Sequence, residues 1–121
     1  MLKLYSAHND LRLVAREAIF EQIRVLNYQN KPSRWDSIFL CEDKTIAERF
    51  RIEGQRGFDI LYKVEILDKK AAYHRGDWNM NFTQADSVAS MFQRAQEYWA
   101  ATNVNNPEIV TQSAVRIIGR C

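Results

Sequence analysis

The sequence predicts a single α+β domain in which a mostly antiparallel sheet is flanked by helices. Two stretches, 11–26 and 85–99, carry apolar residues at steps of three and four, the spacing of a helix with one buried face. A third stretch, 58–66, alternates apolar and polar residues, as a half-buried strand does. Since no repeat or linker interrupts the 121 residues, we expect one hydrophobic core.

The composition indicates a soluble domain and argues against several other classes of protein. The hydrophobic fraction of 46% indicates a folded, soluble domain, and the net charge of +2 argues against a broad nucleic-acid-binding surface. No run approaches the roughly 20 apolar residues that cross a bilayer, and the first residues do not resemble a signal peptide, so we expect a cytoplasmic protein without membrane contact. Cys41 and Cys121 form no metal-binding spacing with His8 or His74, and no metal site is predicted.

The first predicted units are a strand and a helix. Residues 2–7 form the strand, and Asn9 or Asp10 caps the helix. The core-facing stripe of this helix comprises Leu11, Ala15, Ala18, Ile19, Ile23 and Leu26. Its solvated side comprises Arg12, Arg16, Glu17, Glu21 and Arg24, where charges of mixed sign are expected.

The stretch 32–50 has the most definite pattern. A polar loop, 33–37, precedes the apolar run 38–41, which predicts a strand covered on both faces. Asp43 then caps a helix whose inner side is formed by Ile46, Ala47 and Phe50.

The second half of the chain predicts three more strand regions and a helix. Residues 58–66 form a strand, and residues 73–82 form a strand or extended loop. Thr83 and Asp86 indicate a capping box for the helix over 85–99. Residues 109–118 form closing strands that are broken near 111–113.

Polar clusters lie at the edges of the predicted strands. Residues 5–9, 33–37 and 106–108 are distant in sequence, as expected for a cleft between two small sheets. A fourth cluster, 73–78, has two readings of equal weight: it contributes to the site, or it is a turn held by an ion pair between Arg75 and Asp77.

Four segments carry a resemblance to a known family. They are Leu4-Tyr-Ser-Ala-His8, Ser37-Ile-Phe-Leu-Cys-Glu-Asp-Lys-Thr-Ile-Ala-Glu-Arg-Phe50, Ile60-Leu-Tyr-Lys-Val-Glu65 and Pro107-Glu-Ile-Val-Thr-Gln-Ser-Ala-Val-Arg-Ile-Ile118. In this order the chain resembles the ADP-ribosyltransferase superfamily, in particular its small bacterial and phage members. The resemblance implies a split sheet of mostly antiparallel strands with flanking helices, over residues 1–121.

The resemblance also implies an activity. Such a protein transfers ADP-ribose from NAD, its substrate, to an acceptor and releases nicotinamide, as a toxin or phage effector acting on a host macromolecule. Glu108 matches the catalytic glutamate of the terminal strand pair. A carboxylate at this place stabilises the oxocarbenium-like transition state. Asn106, two positions earlier, does not indicate whether the acceptor is a protein or a nucleic acid.

The remaining site residues follow from the same resemblance. His8 holds NAD by hydrogen bonds, and Tyr5 does so by stacking or through its hydroxyl. Ser37 supports Glu108, and Arg34 pairs with the pyrophosphate, for which a guanidinium is suited. Trp35 or Tyr73 stacks on nicotinamide.

Two other functions stay open. One is a catalytically inactive domain of the same fold that binds a protein partner as an inhibitor. The other is a small nucleic-acid-binding protein. For that function, phosphate contacts and base stacking would come from Arg12, Arg16, Arg24, Arg34 and Arg75 with Trp35 and Trp78.

Overall fold

The structure, a computed structural model, describes residues 11–83 and 85–121, which form three helices and two antiparallel sheets. The helices are α1 (Leu11–Asn27), α2 (Lys44–Glu53) and α3 (Val88–Ala100). The strands are β1 (Ile38–Leu40), β2 (Tyr62–Ile66), β3 (Tyr73–Asp77), β4 (Pro107–Thr111) and β5 (Val115–Arg120). The predicted α+β class with antiparallel strands is confirmed, whereas the predicted strand 2–7 lies outside the described residues.

The five strands divide into two sheets. One sheet has the order β1-β4-β3, in which Phe39 and His74 both lie opposite Val110. The other pairs β2 with β5, and its register shifts between Lys63 and Val64. The strands β4 and β5 are consecutive in the chain but belong to different sheets, so the break predicted at 111–113 is the crossing between them.

The core lies between α1 and α3, and α3 contacts β3 of the three-stranded sheet. Its buried members are Phe20, Ile23, Phe82, Ala95, Tyr98 and Trp99. The Trp99 indole packs 4.9 Å from the His74 ring and donates a hydrogen bond of 2.8 Å to the Phe20 carbonyl. Burying aromatic side chains of this size contributes about 1.5–3 kcal/mol each, which makes this layer the main source of stability.

The buried face of α1 differs from the predicted stripe. Ile23 is buried as expected, but Leu26 is 64% exposed and Phe20, absent from the stripe, is 1% exposed. Phe20 is buried because α1 packs against α3, where its ring stacks on Tyr98 with centroids 4.6 Å apart. The contact with α3 therefore determines which turn of α1 contributes to the core.

Three predicted elements differ from the observed ones. The helix α3 begins at Val88 behind the N-cap Ser87, because Thr83 to Asp86 close a separate turn in which the Asp86 carboxylate accepts from the Thr83 amide at 2.7 Å. The strand predicted over 58–66 begins at Tyr62, opposite Arg120, the last residue of β5. The strand β1 is not covered on both faces, since Phe39 is 48% exposed.

The cap of α2 is confirmed. The Asp43 carboxylate accepts from the Ile46 amide at 2.8 Å, as its position before the apolar stripe predicts. Ile46, Ala47 and Phe50 are partly buried on the inner side of this helix. In the part of the chain that is described, no helix has the length and apolarity needed to cross a membrane.

Candidate functional site

A cleft of about 860 Å³ is lined by both sheets and by α2. The three-stranded sheet contributes Phe39, Leu40 and Glu108, and β2 contributes residues 62–64. Further lining residues come from α2, from the loop after it and from other elements, among them Lys44, Phe50, Arg51, Arg56, Asp59 and Trp78. The cleft is therefore formed by parts of the chain that are distant in sequence.

Glu108 is the acidic group most firmly held at this cleft. It is the second residue of β4, opposite Gly76 of β3, and its side chain is 9% exposed. Its Oε1 atom forms an ion pair with Arg34 and accepts a hydrogen bond of 2.9 Å from the Tyr98 hydroxyl. Both contacts use Oε1, and no hydrogen bond from the described residues reaches Oε2. One carboxylate oxygen thus fixes the side chain, while the other has no hydrogen-bond partner within residues 11–83 and 85–121.

Arg34 connects Glu108 to α1. Its Nε and Nη2 atoms donate to the two carboxylate oxygens of Glu17 at 2.8 and 3.0 Å. Its Nη1 atom donates to the Tyr98 hydroxyl at 2.6 Å and to Glu108. The guanidinium carbon lies 4.7 Å from the centroid of the Phe39 ring. Arg34 therefore binds the Glu17 carboxylate through two nitrogen atoms and the Glu108 carboxylate through one.

The loop before β1 directs Arg34 inward. Ser33 caps the 3-10 turn Arg34–Asp36, and its Oγ atom donates to the Glu21 carboxylate at 2.6 Å. Glu17 and Glu21 are one helical turn apart on α1, so adjacent turns of one helix hold Arg34 and Ser33. Trp35, the next residue, is consequently directed outward and is 63% exposed.

Tyr98 occupies a space that the three-stranded sheet leaves for it. A Cβ atom at Gly76 would lie 2.4 Å from Cε2 and 2.7 Å from Cζ of Tyr98. The His74 ring donates from Nε2 to the Tyr98 carbonyl at 2.8 Å, since a carbonyl oxygen can only accept. Gly76 and His74 therefore fix the ring whose hydroxyl holds Glu108.

The charges of this network stabilise one another. Burial opposes ionisation of Arg34, but Glu108, Tyr98 and Glu17 outweigh it and raise the pKa of Arg34 well above its ordinary value. Burial likewise raises the pKa of Glu17, yet Arg34 and Arg16 act more strongly, so that pKa is lowered. Burial and the nearby Glu108 raise the pKa of Tyr98, which stays a neutral hydrogen-bond donor.

The residues predicted for the site fall into three groups. Arg34 and Glu108 are brought together at the cleft. Tyr5 and His8 lie outside the described residues. The other three, Trp35, Ser37 and Tyr73, do not line the cleft.

Ser37 and Tyr73 lie toward the opposite end of the three-stranded sheet from Glu108. Ser37 precedes Ile38, which pairs with Thr111, and its hydroxyl donates to the Ser33 carbonyl at 2.6 Å. Tyr73 also pairs with Thr111 and is 60% exposed. Their predicted roles toward Glu108 and nicotinamide stay predictions.

Two members of the network, Glu17 and Tyr98, were not predicted from the sequence. Glu17 was assigned to the solvated side of α1, but its side chain is 13% exposed, because Arg34 folds over it. Tyr98 was not singled out, although it lies one residue before the predicted core residue Trp99. The i, i+4 spacing of Glu17 and Glu21 was the available signal, and it does not identify a partner 17 residues away.

The ion pair predicted between Arg75 and Asp77 in the cluster 73–78 is wrong. Arg75 binds Glu42 at 3.0 Å. Asp77 instead accepts from the backbone amides of Asn79, Asn105 and Asn106 at 2.9, 3.0 and 3.3 Å. Asp77 therefore fixes the loop that leads into β4, and so indirectly the start of the strand that carries Glu108.

The described residues contain no group of three His, Cys, Asp or Glu side chains placed to hold a metal ion. Cys41 lines the cleft, and burial together with Glu108 and Asp43 raises the pKa of its thiol. A raised pKa reduces the thiolate fraction, so Cys41 is not an activated nucleophile.

Comparison with known proteins gives one result. A family model described as "Protein of unknown function (DUF2441)" matches residues 2–120. None of the curated proteins compared with the chain matches it. Because the family match spans nearly the whole chain, this protein belongs to the DUF2441 family.

Proposed function

We propose that this protein is an NAD-dependent mono-ADP-ribosyltransferase in which Glu108 is the catalytic residue. The observation that carries the proposal is the state of Glu108: one oxygen is fixed by Arg34 and Tyr98, while Oε2 has no partner among the described residues and the side chain lines a cleft. The division of β4 and β5 between two sheets agrees with the split sheet that the sequence resemblance implies.

The size and charge of the cleft suit a dinucleotide. Its volume of about 860 Å³ lies within the usual range for small-molecule sites. Each carboxylate of its lining has a partner: Glu42 binds Arg75, Asp43 caps α2, Asp59 binds Arg56 and Glu108 binds Arg34. Lys44, Arg51 and Lys63 also line it, and none forms a salt bridge within the described residues. The unneutralised positive charge favours an anionic group such as pyrophosphate.

The proposed reaction breaks the bond between ribose C1 and the nicotinamide nitrogen. Nicotinamide leaves with the electron pair of that bond, and positive charge develops on the ribose ring. The carboxylate of Glu108 stabilises this charge electrostatically. A lone pair of the acceptor then forms the new bond to C1, and the acceptor proton passes to a base, a role that the same carboxylate can serve.

Arg34 and Tyr98 serve this reaction as positioning residues. Arg34 was predicted from the sequence to pair with the pyrophosphate, but its Nε, Nη1 and Nη2 atoms already bind protein oxygens. We therefore assign the pyrophosphate to Lys44, Arg51 and Lys63, which form no salt bridge within residues 11–83 and 85–121, and to Arg34 the task of orienting Glu108.

The test compares the wild type with Glu108→Gln, which keeps the side-chain shape but removes the charge. Nicotinamide release from NAD is measured with and without cell extract. We expect release to fall by about 10²- to 10³-fold in the variant. The matched control is Glu65→Gln, which alters an exposed carboxylate outside the cleft and should retain wild-type release. If the wild type and Glu108→Gln are equally silent and NAD does not raise the melting temperature, the proposal is wrong.

One observation favours a second candidate function. The ion pair with Arg34 offsets the charge of Glu108, which weakens its attraction for a cationic transition state. A catalytically inactive domain that binds a protein partner as an inhibitor would not need an uncompensated negative charge at Glu108. Such a domain would show no nicotinamide release in any extract.

A salt-sensitive thermal shift with DNA or RNA, but none with NAD, would favour the nucleic-acid-binding alternative instead. The proposal places the transferase in the cytoplasm.

A further inference from the structure

The cleft holds more uncompensated positive charge than a pyrophosphate needs. Lys44 and Arg51 of α2 and Lys63 of β2 line it, and none of them forms a salt bridge within residues 11–83 and 85–121. The pyrophosphate of a dinucleotide carries one negative charge on each of its phosphates. Its charge is therefore balanced by two of these cations, and the third remains available for a further anionic group.

The two cations of α2 lie on the same face of the helix but not at the same place. Lys44 is the first residue of α2, and Arg51 follows seven residues later. Seven residues make nearly two helical turns, so the two side chains leave one face of α2 about 10 Å apart along its axis. Ala47, which lies between them, also lines the cleft. The wall formed by α2 thus carries two separate positive charges with a small residue between them.

Arg51 is held in place without being neutralised. Its Nη1 atom donates to the Asp59 carbonyl at 3.0 Å, whereas the Asp59 carboxylate is bound by Arg56 at 2.5 Å. The Nε atom of Arg51 is buried and has no hydrogen-bond partner among the described residues, and its Nη2 atom donates to none of them either. Arg51 is therefore a positioned guanidinium with unused donors, and phosphate oxygens are the acceptors that such a group binds best.

The start of α2 adjoins the strand pair that carries Glu108. Leu40 of β1 pairs with Ile109 of β4, and continuing this antiparallel register places Cys41 opposite Glu108. Lys44 follows Cys41 by three residues, whereas Arg51 lies at the other end of the helix. The pyrophosphate directly follows the ribose on which Glu108 would act, so we assign it to Lys44. Arg51 then suits an anionic group that lies farther along the ligand.

We propose that the cleft prefers NADP, the dinucleotide with an additional phosphate on its adenosine ribose, to NAD, and that Arg51 binds this phosphate. This inference rests on the proposed function, and it narrows the pyrophosphate site to Lys44 and Lys63. An arginine is a common partner of this phosphate in dinucleotide sites. The bond that breaks at Glu108 is the same in NAD and NADP, so the group transferred from NADP is ADP-ribose with one more phosphate.

The experiment measures the dissociation constants of NADP and NAD by isothermal titration calorimetry at low salt, with the full chain. We expect wild type to bind NADP about tenfold more tightly than NAD, the effect of one charge-assisted contact. In Arg51→Gln the ratio of the two constants should approach one. Arg51→Lys keeps the charge but not the paired donors, so its ratio should lie between those of wild type and Arg51→Gln.

Two further variants separate this contact from general electrostatics. Lys44→Gln should weaken the binding of both dinucleotides by the same factor and so keep the wild-type ratio. Arg116→Gln makes the same change in net charge outside the cleft and should leave both dissociation constants as they are in wild type. The preference for NADP should also decrease as the salt concentration rises, because salt screens the contact.

Four results would overturn this inference alone: equal binding of NADP and NAD by wild type, a wild-type ratio in both Arg51→Gln and Arg51→Lys, loss of the preference in Lys44→Gln, or the same loss in Arg116→Gln. In each case nicotinamide release from NAD by wild type would still support the proposed function. If neither dinucleotide binds and wild type releases no nicotinamide with or without extract, the proposed function fails, and this inference fails with it.

Discussion

The two sheets that line the cleft differ in how far they are buried. Four of the five residues of β4 in the three-stranded sheet are buried. No residue of β2 or β5 is buried, although these two strands also pair antiparallel. The difference arises because α3, itself packed against α1, covers one face of the three-stranded sheet. Backbone pairing thus forms a strand, but covering helices are needed to fix its polar side chains, and Glu108 lies on the covered sheet.

The largest predicted effect contrasts a buried ion pair with an exposed one. Arg34→Ala leaves the carboxylates of Glu17 and Glu108 buried without their cation, which should lower the free energy of unfolding by about 3–5 kcal/mol. Arg116→Ala removes the partner of Glu65 in the two-stranded sheet, where both side chains are at least half exposed, and should cost under about 1 kcal/mol. Urea unfolding followed by tryptophan fluorescence measures both. Equal losses of unfolding free energy in the two variants would contradict the expectation that the buried ion pair contributes more than the exposed one.

The second predicted effect is a loss of stability at acidic pH. Burial, with smaller effects from Lys31 and Arg34, lowers the pKa of His74 to about 4, despite its hydrogen bond to the Tyr98 carbonyl. Above the ordinary pKa of 6.5 both folded and unfolded chains hold a neutral imidazole. As pH falls from 6.5 to 4 the unfolded chain binds a proton first, so about 3 kcal/mol of stability should be lost in this window.

The pH dependence is measured by urea unfolding at a series of pH values in the wild type and His74→Gln, since glutamine can still donate to the Tyr98 carbonyl. The variant should lose less stability than the wild type between pH 6.5 and 4. Glu17, whose pKa is lowered, adds acid sensitivity only below its ordinary value of 4.5. Parallel curves for the two proteins down to pH 5 would show that His74 is not the buried group that responds.

The smallest of the three effects tests the space beneath Tyr98. In Gly76→Ala the new methyl group would lie 2.4 Å from the Tyr98 ring, so the ring must shift, at a cost of about 1–3 kcal/mol. Gly119→Ala in the two-stranded sheet is the matched control, because no atom lies within 4 Å of a Cβ atom there. Thermal unfolding compares the two. A Gly76→Ala protein as stable as the control would mean that Tyr98 is loosely held.

Two local signals were predicted correctly from the sequence. The cap at Asp43 and the break near 111–113 depend on neighbouring residues, and both were found. The covering of β1 and the start of β2 were missed, because burial depends on what packs against a strand and strand length depends on where the paired strand ends. The site shows the same division: Glu108 could be singled out, but Glu17 and Tyr98 could not, since their contacts span 17 and 64 residues to Arg34.

The sequence by itself determined the α+β class, the antiparallel strands, most of the helix and strand positions and the candidacy of Glu108. The fold class and the element positions follow from hydrophobic periodicity and capping residues, which are properties of neighbouring positions in the chain, whereas the candidacy of Glu108 follows from the resemblance to ADP-ribosyltransferases. Only the tertiary structure decided that Arg34 binds both Glu108 and Glu17. The physical reason is that burial and ion pairing depend on distances between segments, and those are set when the helices pack on the sheet.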